Sequence, residues 1–210
     1  MIAGRFIALE GGEGVGKSTQ ARLLADALRA RGIEVVITRE PGGTAGAEAI
    51  RSLLLTNEGE GWGARAEALL FAAARADHVE KLIRPALARG AWVICDRYVD
   101  SSRAYQGGGG GLSDADVLAL HAIGSECLLP DRTLLLTADP EISAQRLALR
   151  DGGSADRIGG RDAHYHASVA TAFLRFAAEE PLRFAVIDAQ GTPDDVAQRT
   201  FAAITDLLAQ

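Results

Sequence analysis

Five short apolar runs, rich in β-branched residues, punctuate the chain: Phe6–Glu10, Val35–Thr38, Trp92–Cys95, Thr133–Thr137 and Phe184–Ile187. Each is too short for a helix, and most are nearly continuous in apolar character. Strands buried on both faces of a parallel sheet read this way. Between them lie longer stretches rich in Ala, Leu, Arg and Glu that predict helices: Thr19–Ala30, Ala45–Leu55, Ala64–Arg89, Asp114–Glu126, Pro140–Leu149, Ala163–Glu179 and Pro193–Leu208. Strand alternating with helix implies right-handed βαβ units. The expected fold is α/β, a five-stranded parallel sheet with helices on both faces and no internal repeat. Two stretches break the pattern. Gly107–Gly111 is five consecutive glycines, and Asp151–Arg161 is rich in Gly, Asp and Arg without a hydrophobic period. Both read as mobile loops.

The loop after the first strand carries the clearest chemistry. Gly11-Gly12-Glu13-Gly14-Val15-Gly16-Lys17-Ser18 separates Gly-Lys-Ser from Gly11 by four residues, between a strand and a helix. Glycines let successive backbone N–H groups point inward, and the helix N-terminus adds partial positive charge. Lys17 supplies a full charge near the β- and γ-phosphates of a nucleotide, and Ser18 offers a hydroxyl to Mg²⁺. This motif alone says only that a nucleotide binds, since motors, switches, transporters and kinases share it. Asp96-Arg97 ends the third apolar run, and in open α/β sheets ligands gather at such strand ends, where an acidic residue is well placed for Mg²⁺.

Composition narrows the field. A chain of 210 residues has room for one α/β domain, and 48% hydrophobic residues exclude a disordered chain. A net charge of −6 argues against general nucleic-acid or membrane-surface binding. Any phosphate contacts must therefore come from a local cluster of Arg, Lys and backbone N–H groups. Cys95 and Cys127 give neither a disulfide framework nor a four-ligand metal site, and both read as small core residues. The start, MIAGRFIALEGG, lacks a secretory pattern, and no run approaches the ~18 apolar residues of a membrane span, so the cytoplasm is expected. His78, His121, His164 and His166 show no metal-binding spacing and receive no role.

Four blocks resemble the bacterial thymidylate kinase family over nearly the whole chain. They are Ala8-Leu9-Glu10-Gly11 running into Lys17-Ser18-Thr19; Thr38-Arg39-Glu40-Pro41-Gly42-Gly43-Thr44; Leu69-Leu70-Phe71-Ala72-Ala73-Ala74-Arg75-Ala76-Asp77-His78; and Asp96-Arg97-Tyr98 with Ser101 and Ala104-Tyr105-Gln106-Gly107. The resemblance implies a single-domain nucleoside monophosphate kinase fold with a short lid at about 150–161. It implies in-line transfer of the ATP γ-phosphate to dTMP, with Mg²⁺, in a homodimer. The alternatives are a deoxynucleoside kinase, a kinase for another nucleoside monophosphate, and a non-kinase nucleotide switch.

On the ATP side the resemblance implies Gly11 through Thr19 (Gly12, Glu13, Gly14, Val15, Gly16, Lys17 and Ser18 between them) and Arg146. On the acceptor side it implies Phe71 stacked on thymine, Arg75 and Ser102 at the base edge, Tyr105 crowding the 2′ position, and Arg51 and Arg97 on the phosphate. Pro41, Ser101 and Gln106 join them, and Glu40 and Asp96 serve the sugar–phosphate end and the metal's water shell. Taken alone, Phe71 reads as core, Arg75 and Asp77 as a solvated helix face, and Tyr105 as a loop anchor. Lys17, Asp96, Arg97 and Arg157 are the catalytic set. The phosphate loop has Glu13, Gly14 and Val15 where some relatives carry a basic residue, so the lid is expected to supply the cation from Arg157 or Arg161, with Arg150 just before. Asp156-Arg157-Ile158-Gly159 lacks the glutamate of the family's lid, and Gly110 stands where relatives often have Arg, implying a looser loop. A cis Glu40–Pro41 peptide is also expected, and the Ala-rich stretch Ala64–Ala76 could let two helices approach closely in a dimer.

Overall fold

The five apolar runs pair into one parallel sheet in the computed structural model, which describes residues 4–56, 61–151 and 157–209. The strands are β1 (Phe6–Glu10), β2 (Val35–Arg39), β3 (Trp92–Asp96), β4 (Arg132–Thr137) and β5 (Phe184–Asp188), in the order β2-β3-β1-β4-β5. β1 lies in the centre, with Leu9 opposite both Asp96 of β3 and Leu134 of β4. That register places Glu10, Asp96 and the chain after each at one edge of the sheet, where strand order reverses around β1 and ligands bind in such folds.

The side chains of β1 alternate between two cores. Ile7 and Leu9 pack with Leu24, Leu28, Trp92, Ile94 and Ile204 under α1 (Lys17–Arg29) and the C-terminal helices. Phe6 and Ala8 pack with Ile83, Val93, Tyr98 and Val99 on the opposite face. A third cluster of Tyr105, Tyr165, Phe173, Phe176 and Phe184 lies beneath α8 (Ala163–Glu179). Between these come α2 (Ala45–Leu55), α3 (Ala64–His78), α4 (Arg84–Ala88), α5 (Val99–Ser102), α6 (Asp114–Ser125) and α7 (Pro140–Asp151); α9 (Pro193–Ala202) and a 3₁₀ turn, Thr205–Ala209, follow β5. Thr44, Ser113, Asp162 and Thr192 cap their helices with side-chain oxygens, satisfying N–H groups left open in the first turn. No helix among the described residues is long and apolar enough to cross a membrane.

The structure refines several expectations. Ala64–Arg89 is helical through Ala88, as expected, but not uniformly α: α3 passes through a wide π turn, Val79–Ile83, into α4. Pro85 accounts for the wide turn, because it has no N–H for the carbonyl four residues back and its ring crowds that turn. Gly107–Gly111 is not a plain loop. Arg103–Gly109 is a π-helical turn packed on α8, and a Cβ on Gly109 would lie 2.4 Å from the Tyr165 ring. Glycine here permits the close approach of two elements. Nor is Gly110 loosely placed, since a Cβ there would meet the Gln106 carbonyl at 2.5 Å. In Asp151–Arg161, Asp151 ends α7 and Ile158 is buried; residues 152–156 and the Arg150 side chain lie outside the described residues. Cys95 is a core residue but Cys127 is exposed, in a left-handed turn with Glu126 that ends α6. The Glu40–Pro41 peptide is cis, as expected.

Candidate active site

Backbone geometry shapes the phosphate loop. Gly11 and Gly14 adopt φ of 132° and 73°, and a Cβ on either would lie 2.3 Å from a carbonyl oxygen of Leu136 or Ser143. Only glycine fits both the conformation and the space. Helix α1 then begins without a side-chain cap, leaving its first N–H groups and positive dipole end open to the cavity. Lys17 is buried and donates to the carbonyls of Gly11 (3.2 Å) and Gly12 (2.7 Å). Burial, with the Arg97 guanidinium next in weight, pushes its ammonium from 10.5 down to about 8. Ser18 donates to Asp96 at the end of β3.

The turn after β3 is folded around Glu10. This carboxylate, fully buried at the end of β1, accepts from Tyr98 N (2.8 Å), Ser101 N (3.1 Å) and the Ser101 hydroxyl (2.6 Å). Burial foremost, then the charge of Asp100, raises it from 4.5 to about 7. Arg97 sits in this turn at φ 70°, an uncommon conformation for a residue with a side chain, held by the surrounding hydrogen bonds. Its guanidinium donates to Glu13 (2.6 Å), the Gly11 carbonyl (3.1 Å) and Ser101 (3.1 Å), and lies over the Tyr105 ring at 4.9 Å.

On the far side, α2 and α3 present Arg51, Phe71 and Arg75. Arg51 donates to the Pro41 carbonyl at 2.7 Å. Arg75, 3% exposed, donates from Nε to Glu40 (2.7 Å) and from Nη2 to Ser102 (2.8 Å) and the Tyr98 carbonyl (3.3 Å). Its Nη1 makes no hydrogen bond among the described residues. The Tyr105 hydroxyl is likewise buried without a partner among them. Gln106 donates to Glu67, which also accepts from Arg161 at 2.5 Å.

Lys17, Ser18, Asp96, Arg97, Phe71 and Arg75 line one cavity of about 860 Å³ running from the phosphate loop to Arg75. It brings together the residues expected from the sequence except Gly11, Gly12 and the two lid candidates Arg157 and Arg161, the second of which pairs with Glu67. The carbonyls of Gly11 and Gly12 turn instead to Lys17. The Arg157 guanidinium lies against Gly61, between α2 and α3: a Cβ built on that glycine would stand 2.8 Å from it. Arg146 lines the cavity and donates to the Ala189 carbonyl. Glu40 lines it too, but its two oxygens face Arg75 and His78 rather than a sugar–phosphate end. Arg75 is therefore no solvated face. No role was expected of Glu67, which belongs to no motif, nor of Glu10 and His78, which stand in the first and third family blocks without a stated function.

Comparison with known proteins agrees with this arrangement. The family model described as thymidylate kinase matches residues 9–200. A thymidylate kinase of Rhizorhabdus wittichii is 60% identical over 207 residues, covering 99% of this chain and 100% of the relative. One from Bradyrhizobium diazoefficiens is 48% identical, covering 98% and 90%. The crystal structure of thymidylate kinase from Ehrlichia chaffeensis superposes with a TM-score of 0.79 at 30% identity, over 96% of this chain and 99% of that one. With the family model matched over most of its length, and relatives this similar from end to end, the chain belongs to the thymidylate kinase family.

Proposed function

We propose that this chain transfers the γ-phosphate of ATP to dTMP, giving dTDP and ADP, as a single-domain cytoplasmic enzyme of dTTP synthesis. The observation that carries the reading is the continuous cavity, with a phosphate loop at one end and the Phe71–Arg75–Tyr105 group at the other. A switch protein needs only the first half. A deoxynucleoside acceptor leaves Arg51 and Arg97 without a phosphate to hold.

Phosphoryl transfer asks for positioning and charge neutralisation more than for covalent chemistry. The loop N–H groups and Lys17 hold the ATP phosphates, while Arg51 and Arg97 orient the acceptor phosphate for in-line attack. That phosphate is already a nucleophile at neutral pH, so no strong general base is required. Charge on the transferring group is stabilised by Lys17, by Arg97 and by a lid arginine, Arg157 in this reading. Phe71 supplies a flat surface for the base, worth roughly 1–3 kcal/mol but tolerant of base identity, so selection falls to Arg75 and Ser102. Tyr105 excludes a 2′-hydroxyl by bulk.

The Ser18–Asp96 pair suits Mg²⁺. It offers hard oxygen donors at the mouth of the loop, and among the described residues there is no cluster of three or more His, Cys, Asp or Glu to cage a metal. A cation that keeps its waters and phosphate oxygens needs little more from the protein. When bound, Mg²⁺ neutralises charge on the β- and γ-phosphates.

The homodimer belongs to this reading as well. Leu69 on α3 and Ile123 on α6 are 56% and 83% exposed on neighbouring helices, and Gly124 brings α6 close to the Ala72 carbonyl. A monomeric mass by light scattering at micromolar concentration contradicts the dimer. An assay offering dTMP, dUMP, UMP and thymidine with ATP and Mg²⁺ tests the function. Preference for dTMP is expected, and preference for thymidine or UMP overturns it.

A further inference from the structure

His78 has no part in the chemistry above, yet it is wholly buried at the end of α3 with both ring nitrogens engaged. Nδ1 stands 3.0 Å from Glu40 Oε1 and Nε2 stands 2.7 Å from Thr38 Oγ1. A carboxylate only accepts, so Nδ1 carries the proton and donates. Gly43 closes over the pair: a Cβ there would meet Thr38 Oγ1 at 2.4 Å and His78 Nε2 at 2.6 Å. The imidazole thereby ties the end of β2 to the end of α3 and fixes one oxygen of Glu40.

The other oxygen of Glu40 receives Arg75 Nε at 2.7 Å. A guanidinium is a planar fork, so holding Nε and Nη2 in place fixes where Nη1 stands. Nη1 is the nitrogen of Arg75 without a partner among the described residues, and Arg75 lines the cavity. We propose that His78 is a positioning residue for the acceptor: acting through Glu40, it sets the angle of Arg75 so that Nη1 meets the edge of the base. The proposal rests on the dTMP reading above. Without the imidazole, Glu40 loses its second anchor and its carboxylate can turn, taking the Arg75 plane with it.

Binding of dTMP and of ATP, measured separately by calorimetry, tests this together with steady-state kinetics. His78→Ala should weaken dTMP about tenfold, the scale of one positioned, charge-assisted hydrogen bond. ATP affinity should stay as in the parent, and kcat at saturating dTMP should change less than about twofold, because a positioning defect is overcome by binding. Asparagine places its amide where Nδ1 stands, whereas glutamine reaches toward Nε2. His78→Asn should therefore restore dTMP affinity and His78→Gln should not. In the background of Arg75→Ala, removing His78 should cost no further dTMP affinity. A folded His78→Ala variant with parental dTMP affinity overturns the proposal, as does additivity with Arg75→Ala or an equal loss of ATP binding. If His78→Ala fails to fold, equal dTMP affinities in the Asn and Gln variants overturn it. A parent that binds no dTMP overturns the functional reading as well. A parent that binds dTMP, with variants that bind it equally, overturns the role of His78 alone.

Discussion

The Ser18 hydroxyl donates to the Asp96 carboxylate across 2.5 Å, joining the first turn of α1 to the last residue of β3. Two strand-end loops, far apart in sequence, thus offer their oxygens at one point. If that point serves Mg²⁺, Asp96→Asn keeps the shape but weakens the donor. The variant should lower kcat about a hundredfold and shift the Mg²⁺ titration of activity to higher concentration, with dTMP affinity little altered. An unchanged Mg²⁺ midpoint removes Asp96 from the metal's surroundings.

Lys17 makes ATP binding depend on pH in the alkaline range. Its ammonium, pushed down to about 8 mainly by burial, loses its proton in the ligand-free chain well below the usual 10.5. Triphosphate restores the proton on binding. ATP affinity should therefore fall about tenfold per pH unit as pH climbs above 8, with proton uptake visible by calorimetry in buffers of different ionisation enthalpy. The ligand-free chain should gain stability over the same interval, from about 8 to 10.5, because the unfolded chain then holds more protons. An affinity flat from pH 7 to 10 contradicts this role.

Glu10 acts in the opposite window. Its carboxyl is raised from 4.5 to about 7, so the folded chain binds more protons between those values and loses stability as pH rises through them. In Glu10→Gln, the amide oxygen can accept from Tyr98 N and Ser101 N while the amide nitrogen donates to Ser101. The melting temperature of this variant should vary less than the parent's between pH 4.5 and 7. Parallel profiles show that Glu10 does not titrate there.

Much of the sheet was legible, because strands buried on both faces cannot hide their apolar runs. β1 matched its expected span, and the other strands differed by one residue at an end. The phosphate loop was equally plain, since glycine conformations and a helix start leave local marks. The turn Arg103–Gly109 was not: its order comes from packing on Tyr165 and α8, which are distant in sequence. His78, which closes the third family block, received no role for the same reason, as its partners Thr38 and Glu40 lie on another element. Asp100 is a further case. It is buried and receives Arg103 and Arg183 from two directions, with no pattern in the sequence to join them.

The buried Tyr105 hydroxyl separates stability from selectivity. Having no partner among the described residues, it costs the ligand-free fold stability instead of adding to it. Tyr105→Phe should leave the melting temperature no lower than the parent's, whereas Tyr105→Ala should lose stability through the cavity it opens. Both should change the ratio of dTMP to ribothymidine monophosphate turnover. Parental ratios in both variants remove Tyr105 from sugar selection.

The central claim is direct transfer from ATP to dTMP, and following the label tests it most closely. The purified chain is incubated with γ-³²P-labelled ATP, Mg²⁺ and dTMP, and the products are separated by chromatography. Label should appear in dTDP, matched mole for mole by ADP, with little free phosphate. Label found only in free phosphate, at a rate indifferent to dTMP, would contradict the account.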